Sequence, residues 1–262
     1  MQYIDCKKYA NEILDEVKAV QNKKSLLILT VGDDPASLSY VKGKMKDCEY
    51  CGIPYEHVKI TNSFTAEEEL LYKIDCGNRC DNVGGIIVQL PLPKGMYEKK
   101  FTDSVLITKD VDGFKHNSPF KPCTPESIMY ILEKEIGDLT GKRALVIGRG
   151  KLVGEPIAKM LLDANCTVTI AHSKTKDLHW ELQNADIIIS AVGRPKTVDL
   201  QWCWNAEIVV DVGVNRDENG KLCGDCYNFD ENVCPFLKVT PVPGGIGLMT
   251  RAMLMKHMVK NN

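Results

Sequence analysis

Arg143-Ala-Leu-Val-Ile-Gly148-Arg-Gly-Lys-Leu-Val-Gly154 decides how this chain is read. A short apolar run of strand character ends in Gly-x-Gly-x-x-x-Gly, and helical composition follows to about Ala164. Glycines at such a turn allow a tight bend and let a pyrophosphate approach the helix amino end, where free N–H groups and the helix dipole favour anions. Taken alone, the spacing also fits an ordinary strand-to-helix turn. Gly148, Arg149, Gly150, Val153 and Gly154 are the candidate nucleotide-binding residues of this turn. A site for NAD usually ends its second strand with an acid that accepts the ribose 2′-hydroxyl. Here the second strand, Thr167 to Ala171, runs into His172-Ser173-Lys174-Thr175 instead. Arg149 with Ser173, and Lys174 beside them, suit a 2′-phosphate through charge-assisted hydrogen bonds, so NADP is expected rather than NAD.

Downstream, Asp186–Ala191, Glu207–Asp211 and Lys238–Thr240 read as further strands, which gives a five-stranded, doubly wound, Rossmann-type domain. Upstream, Leu26–Val31, Tyr55–Ile60 and Gly85–Leu90 alternate with a helix from Ala36 to Cys51. A second helix starts at Thr65-Ala-Glu-Glu, a capping-box pattern, and reaches about Asn78. That succession is a second α/β layer with a mainly parallel sheet. The stretch from Pro91 to Pro125 holds five prolines and reads as connection, leading into a helix that ends at Glu135. The expected architecture is therefore α/β in two domains. Residues 1–122, joined by the C-terminal helix 247–262, form the first, and 123–246 form the second.

Composition narrows the function classes. Of 262 residues, 44% are hydrophobic and 26% charged, as in ordinary globular proteins. Lys and Arg number 33 against 35 Asp and Glu, a net charge of −2, which argues against nucleic acid as a partner. Apolar stretches such as Gly85–Pro93 are far short of the ~20 residues a membrane-spanning helix needs. The amino end has no basic segment followed by an apolar one, so a cytoplasmic protein is expected. Eleven cysteines fit a reducing compartment, and the pairs Cys48/Cys51 and Cys223/Cys226 read as small buried thiols. No metal site is expected, because Cys48/Cys51 and Cys223/Cys226 lie far apart in sequence and the first pair ends a helix.

On the helix from Ala36, Tyr40 and Lys44 share one face at i, i+4 spacing. Val88-Gln-Leu-Pro-Leu-Pro93, Lys109-Asp-Val-Asp-Gly-Phe114, Ser190-Ala-Val-Gly-Arg-Pro195 and Thr240-Pro-Val-Pro-Gly-Gly-Ile-Gly247 complete the set. Together with the glycine-rich turn, these motifs resemble the bifunctional methylenetetrahydrofolate dehydrogenase/methenyltetrahydrofolate cyclohydrolase family, from about Val31 to Thr250. The resemblance implies a folate-binding catalytic domain, an NADP-binding domain and an active-site cleft between them. It implies hydride transfer from 5,10-methylenetetrahydrofolate to NADP, then hydrolysis of the 5,10-methenyl cation to 10-formyltetrahydrofolate, in one-carbon metabolism that serves purine biosynthesis. Lys44 matches the catalytic lysine, Tyr40 the aromatic beside the folate ring, Gln89 the partner of the lysine, and Asp112 the carboxylate that holds the pterin. Pro243, Gly244 and Gly245 match a substrate-side loop, and Val192, Gly193 and Val214 match cofactor contacts. A homodimer is implied as well.

The chemistry suits those residue types. An amine shuttles protons near neutrality when it is desolvated or lies near positive charge, and a folate cation supplies the latter. A neutral amide at position 89 orients the lysine, whereas a carboxylate there would stabilise the ammonium and oppose proton release. The two oxygens of Asp112 suit paired N–H donors.

Four positions depart from the family pattern. Gly150 replaces a serine of the nucleotide turn, the loop Lys115–Lys121 is short, Leu248 replaces a proline, and Gly43 precedes the lysine. Gly43 costs its helix about 1 kcal/mol against alanine and is expected to loosen Lys44. The alternatives are a dehydrogenase with impaired cyclohydrolase activity, a shikimate-dehydrogenase-like oxidoreductase, and a non-catalytic NADP-binding protein.

Overall fold

The computed structural model describes residues 1–61, 63–232 and 234–260. In chain order, β1 (Gln2–Tyr3) and α1 (Cys6–Ala19) precede β2 (Ser25–Val31), α2 (Pro35–Cys51), β3 (Tyr55–Ile60), α3 (Ala66–Arg79) and β4 (Val83–Val88). Next come α4 (Glu98–Ser104), a 3-10 turn at Ile107–Lys109, and α5 (Cys123–Glu135). Then follow β5 (Arg143–Ile147), α6 (Gly154–Asp163), β6 (Thr167–Ala171), α7 (Leu178–Gln183), β7 (Ile187–Ser190) and β8 (Val198–Asp199). After a second 3-10 turn at Leu200–Trp202 the chain ends with β9 (Ile208–Asp211), β10 (Asn215–Arg216), β11 (Leu222–Cys223), β12 (Cys226–Tyr227), β13 (Lys238–Val239) and α8 (Ile246–Lys260). It divides into two compact units, one of Met1–Ala10 with Thr124–Thr250, the other of Asn11–Cys123 with the chain from Arg251 onward.

The second unit is built on a three-stranded sheet of order β3-β2-β4, parallel throughout. Central β2 is apolar and buried from Leu26 to Val31 except for Thr30, itself buried, as expected of a parallel strand covered on both faces. Leu27, Leu29, Ile86 and Val88 pack with Leu70 and Ile74 of α3 and Phe101 of α4. Helix α2 is closed at both ends. Its N-cap Asp34 accepts from the Ser37 amide at 2.7 Å, Pro35 opens the first turn, and Gly52 at φ +65° ends it. At α3 the capping box expected from the sequence does not form. Thr65 occupies the N-cap position without a side-chain cap bond, and its hydroxyl lies 3.1 Å from that of Ser63. Glu67, Glu68 and Glu69 in the first turn still complement the helix dipole.

The first unit holds a six-stranded sheet of order β1-β13-β9-β7-β5-β6, all parallel. Strand order reverses between β5 and β7, the switch point at which doubly wound sheets form a crevice beyond their carboxyl ends. The sixth strand is β1, and it corrects the expected boundary. The Gln2 amide donates to Leu237 at 2.8 Å and the Ile4 amide to Val239 at 2.9 Å, and Met1 is buried in this core. Residues 1–10 therefore belong to this unit and not with the remainder of 1–122. A two-residue strand carries no periodicity to read, and its partner edge lies more than 230 residues away. Helices α1, α4 and α7 are likewise additional to the elements expected from the sequence.

Candidate active site

Lys44 stands at mid-length in α2, only 4% exposed. Its Nζ donates to Gln89 Oε1 at 3.0 Å and lies 5.2 Å from the centroid of the Tyr40 ring, one turn earlier on the same helix. Gln89 follows directly on β4, and its amide Nε2 donates to the Leu90 carbonyl at 2.7 Å, which fixes the oxygen toward the ammonium. The pairing leaves Lys44 without a carboxylate partner at Gln89. Asp112 sits just past the first 3-10 turn. Burial raises its carboxyl above the usual carboxylate range, the Lys44 ammonium draws it back down, and the neighbouring Asp110 carboxylate adds to the rise. Burial also pushes the Tyr40 phenol up, with the Asp112 charge acting the same way. Tyr40, Lys44, Gln89 and Asp112 are thus members of one unit, with Lys44 in direct or electrostatic reach of the other three.

The loop carrying Asp112 is held from within. Buried Asp110 accepts from the amides of Phe114 at 3.2 Å and Lys115 at 2.9 Å. Gly113, at φ +72°, lies so close to the Lys121 carbonyl that a Cβ would stand 2.4 Å from it. The short segment 115–121 therefore folds back on the Asp112 turn, and Phe120 stacks on His257 at 4.6 Å. Gly43 has a packing reason that the sequence does not reveal. The Arg251 guanidinium covers it so closely that a Cβ would lie 2.2 Å from Nη1, while Arg251 Nε donates to buried Asp47 at 2.6 Å. Helix α2 runs unbroken through Gly43, and the position expected to loosen Lys44 is occupied by a charged brace.

In the first unit the glycine-rich turn links β5 to α6. Gly148 adopts φ +113°, and a Cβ there would stand 2.3 Å from the Ala191 carbonyl beyond β7. A Cβ on Gly154 would stand 2.4 Å from the Gly148 carbonyl, whereas Gly150 faces open space. Val153 is the N-cap of α6 and supplies no side-chain cap bond, and the Glu155 amide of the first turn donates to the Gly150 carbonyl at 3.0 Å. Arg149, Gly150 and Ser173 are exposed around this turn. Past β6, His172 Nδ1 accepts from the Lys174 amide at 3.1 Å, in the tautomer with that nitrogen bare, and this closes the turn that presents Ser173. Val192, Gly193 (φ +67°) and exposed Val214 follow β7 and β9. The glycine turn, the helix amino end and exposed Arg149 together suit a dinucleotide phosphate. Pro243, Gly244 and Gly245, expected on the substrate side, are also part of this unit, with Gly244 at φ +98°.

Residues 4–112 match the model of the tetrahydrofolate dehydrogenase/cyclohydrolase catalytic domain, and 122–262 match the NAD(P)-binding domain of the same family. The chain belongs to that family. It is 42% identical over 273 residues to the bifunctional protein FolD of Agathobacter rectalis, spanning 98% of this chain and 97% of the relative. The FolD of Moorella thermoacetica is also 42% identical, over 275 residues, with 99% and 98% covered. Among solved structures, the FolD dehydrogenase/cyclohydrolase of Campylobacter jejuni superposes with a TM-score of 0.91 at 40% identity, covering 100% of this chain and 98% of its own. The Trypanosoma brucei dehydrogenase-cyclohydrolase, solved with NADP and an inhibitor, gives 0.89 at 28% identity, covering 99% and 96%. Matches to both family domains set aside a shikimate-dehydrogenase-like identity.

Two features escaped the sequence reading. Arg251 and Asp47 are 204 residues apart and carry no local pattern. Asp225, fully buried, follows a glycine in a segment without periodicity. The cysteines at the end of α2 are buried as expected, whereas Cys223 and Cys226 are only half-buried. Cys48 Sγ contacts Met255 Sδ at 3.6 Å and Cys51 Sγ the Leu14 carbonyl at 3.6 Å. Burial pushes these thiols up to about 12 and about 11 respectively. Among the described residues no group of three or more His, Cys, Asp or Glu is placed to hold a metal ion, and no helix is long and apolar enough to cross a membrane.

Proposed function

We propose that this protein oxidises 5,10-methylenetetrahydrofolate to the 5,10-methenyl form with NADP and hydrolyses that product to 10-formyltetrahydrofolate. The observation that carries the reading is the Lys44 Nζ to Gln89 Oε1 bond of 3.0 Å: a buried ammonium is oriented by a neutral amide. NADP, when bound, accepts the hydride. The protein's task in that step is alignment. In the hydrolytic step Lys44, acting as the free amine, takes at Nζ one proton from the water that adds to the methenyl carbon; the bond from that carbon to N5 breaks as this proton passes to N5, and the remaining hydroxyl proton leaves to solvent as the formyl C=O forms. Gln89 keeps the amine aimed through this exchange without adding charge. Asp112 accepts from the amino and ring N–H donors of the pterin, and Tyr40 lies against the folate ring. Pro243, Gly244 and Gly245 contact the substrate through backbone groups.

On the nucleotide side, Gly148, Gly150, Val153 and Gly154 cradle the pyrophosphate, and Val192, Gly193 and Val214 contact the remainder of the cofactor. Arg149 and Ser173 hold the 2′-phosphate, which gives preference to NADP over NAD. The protein is a cytoplasmic homodimer. The dimer is supported by β6, an edge strand on which Ile170 is 44% exposed, because an open edge of this kind invites pairing. Sedimentation at two concentrations checks that state.

The test is to mix the protein with 5,10-methylenetetrahydrofolate and NADP or NAD, following reduced nicotinamide and the methenyl chromophore by absorbance. Reduction that is faster with NADP, without lasting methenyl accumulation, is the expected result. Accumulating methenyl product identifies a dehydrogenase with impaired cyclohydrolase activity. No reduction with either cofactor identifies a non-catalytic nucleotide binder and overturns the reading.

A further inference from the structure

Two of the loops assigned above to the nucleotide share one hidden anchor. Asp225, at 0% exposure, lies between β11 and β12. Its Oδ2 accepts from Ser190 Oγ at 3.0 Å and from the amides of Val192 at 2.9 Å and Gly193 at 3.2 Å. Its Oδ1 accepts from the Arg194 amide at 2.9 Å and from Asn215 Nδ2 at 2.8 Å. One carboxylate thus ties the loop beyond β7 to the loop beyond β9.

A second buried acid holds the first in place. Asp211, at the end of β9, accepts from the amides of Gly213 at 2.9 Å, Asp225 at 3.0 Å and Cys226 at 2.8 Å. The fit leaves no room for side chains. A Cβ on Gly213 would stand 2.2 Å from Asp225 Oδ1, and one on Gly224 would stand 2.0 Å from Asp211 Oδ2.

The direction of these bonds has a chemical consequence. A trans peptide is planar, with its N–H and C=O opposed. When the amides of Val192, Gly193 and Arg194 all aim at Asp225, the carbonyls of Ala191, Val192 and Gly193 aim away from it. The Ala191 carbonyl does face the Gly148 turn, as its 2.3 Å distance from a Cβ built there records. The buried carboxylate thus turns the Val192 and Gly193 carbonyls away from itself as acceptors of the kind that the hydroxyl and amide donors of a dinucleotide need, while the Ala191 carbonyl packs on the Gly148 turn.

We propose that Asp225 is a positioning residue for the nucleotide: it sets the carbonyls after β7 and, through Asn215, the adjacent Val214 loop in the arrangement that binds the cofactor. The inference rests on the assignment of Val192, Gly193 and Val214 to the nucleotide. Asp225→Asn places an NH2 group among donors and is expected to raise the KM for NADP about tenfold, the size of one lost hydrogen bond to a charged group, with kcat at saturation within about twofold. Asn215→Ala removes one of the bonds to the carboxylate, spares the fold, and is expected to raise the NADP KM about threefold. If Asp225→Asn does not fold, Asn215→Ala carries the test alone. A folded Asp225→Asn, or Asn215→Ala, with a lowered melting temperature and an unchanged NADP KM overturns the inference and leaves a purely structural acid. A wild-type protein that binds no NADP overturns the functional assignment, and the inference with it.

Discussion

The two units of this chain build their sites from different materials. In the three-stranded unit the proposed chemistry rests on side chains: Lys44 from a helix, Gln89 from a strand end and Asp112 from a turn. In the six-stranded unit the proposed nucleotide site rests largely on backbone, with Gly148 at φ +113° and Gly193 at φ +67° shaping its loops. Each site is therefore fragile in a different place. A side-chain site fails when a functional group is exchanged, and a backbone site fails when a Cβ is added or a buried brace is removed.

Lys44→Met tests the first half of that contrast with the largest effect. Loss of the proton-shuttling amine is expected to slow hydrolysis of 5,10-methenyltetrahydrofolate by about 10²–10⁴-fold, while NADP affinity, measured by calorimetry, stays at the wild-type value. Gly148→Ala tests the second half. The added methyl meets a backbone carbonyl at a positive φ, so NADP affinity is expected to fall by about 10²-fold or more, the equivalent of about 3 kcal/mol of strain and lost phosphate contact. Calorimetric titration with NADP reads it directly.

Arg251→Ala sharpens the contrast from beneath the catalytic helix. Burial already raises the Asp47 carboxyl, and Arg251 opposes that rise. Removing the guanidinium leaves a buried acid unpaired and is expected to cost about 3 kcal/mol, read as a lower midpoint of thermal unfolding. The smallest effect is one of pH. Burial raises the Asp112 carboxyl, so as pH falls it takes up a proton before an exposed aspartate would, and it loses acceptor capacity toward the pterin. The KM for the folate substrate is expected to rise on the acid side, and Asp112→Asn to lack that limb. Stability has the opposite sign. Within the window between the ordinary and the raised value the folded state holds more protons than the unfolded one, so stability falls as pH rises through it. Thermal unfolding of the wild type and of Asp112→Asn across that range checks it.

Much of this was legible because it was local. The run from Arg143 to Gly154 gives strand, turn and helix in one reading, and the structure places β5 and α6 there. Tyr40 and Lys44 could be paired because a helix brings i and i+4 together. Strand β1 was not legible, since two residues have no period and their partner is Lys238–Val239. Thr65 shows the reverse failure: a correct capping pattern whose hydroxyl is turned to Ser63 instead. Gly43 read as a weakness because its partner, Arg251, is reached only through the tertiary fold. Asp225 gave no signal, because a single acid after a glycine looks the same in a solvated turn as at a buried anchor.

In the proposed function, hydrolysis belongs to the side-chain site and nucleotide use to the backbone site. The most direct test of that division is hydrolysis of 5,10-methenyltetrahydrofolate by Gly148→Ala with no nucleotide present, beside NADP reduction by the same sample. The account predicts hydrolysis close to the wild-type rate with NADP reduction lost. Loss of both activities together, in a protein that is still folded and unfolds cooperatively, would contradict it.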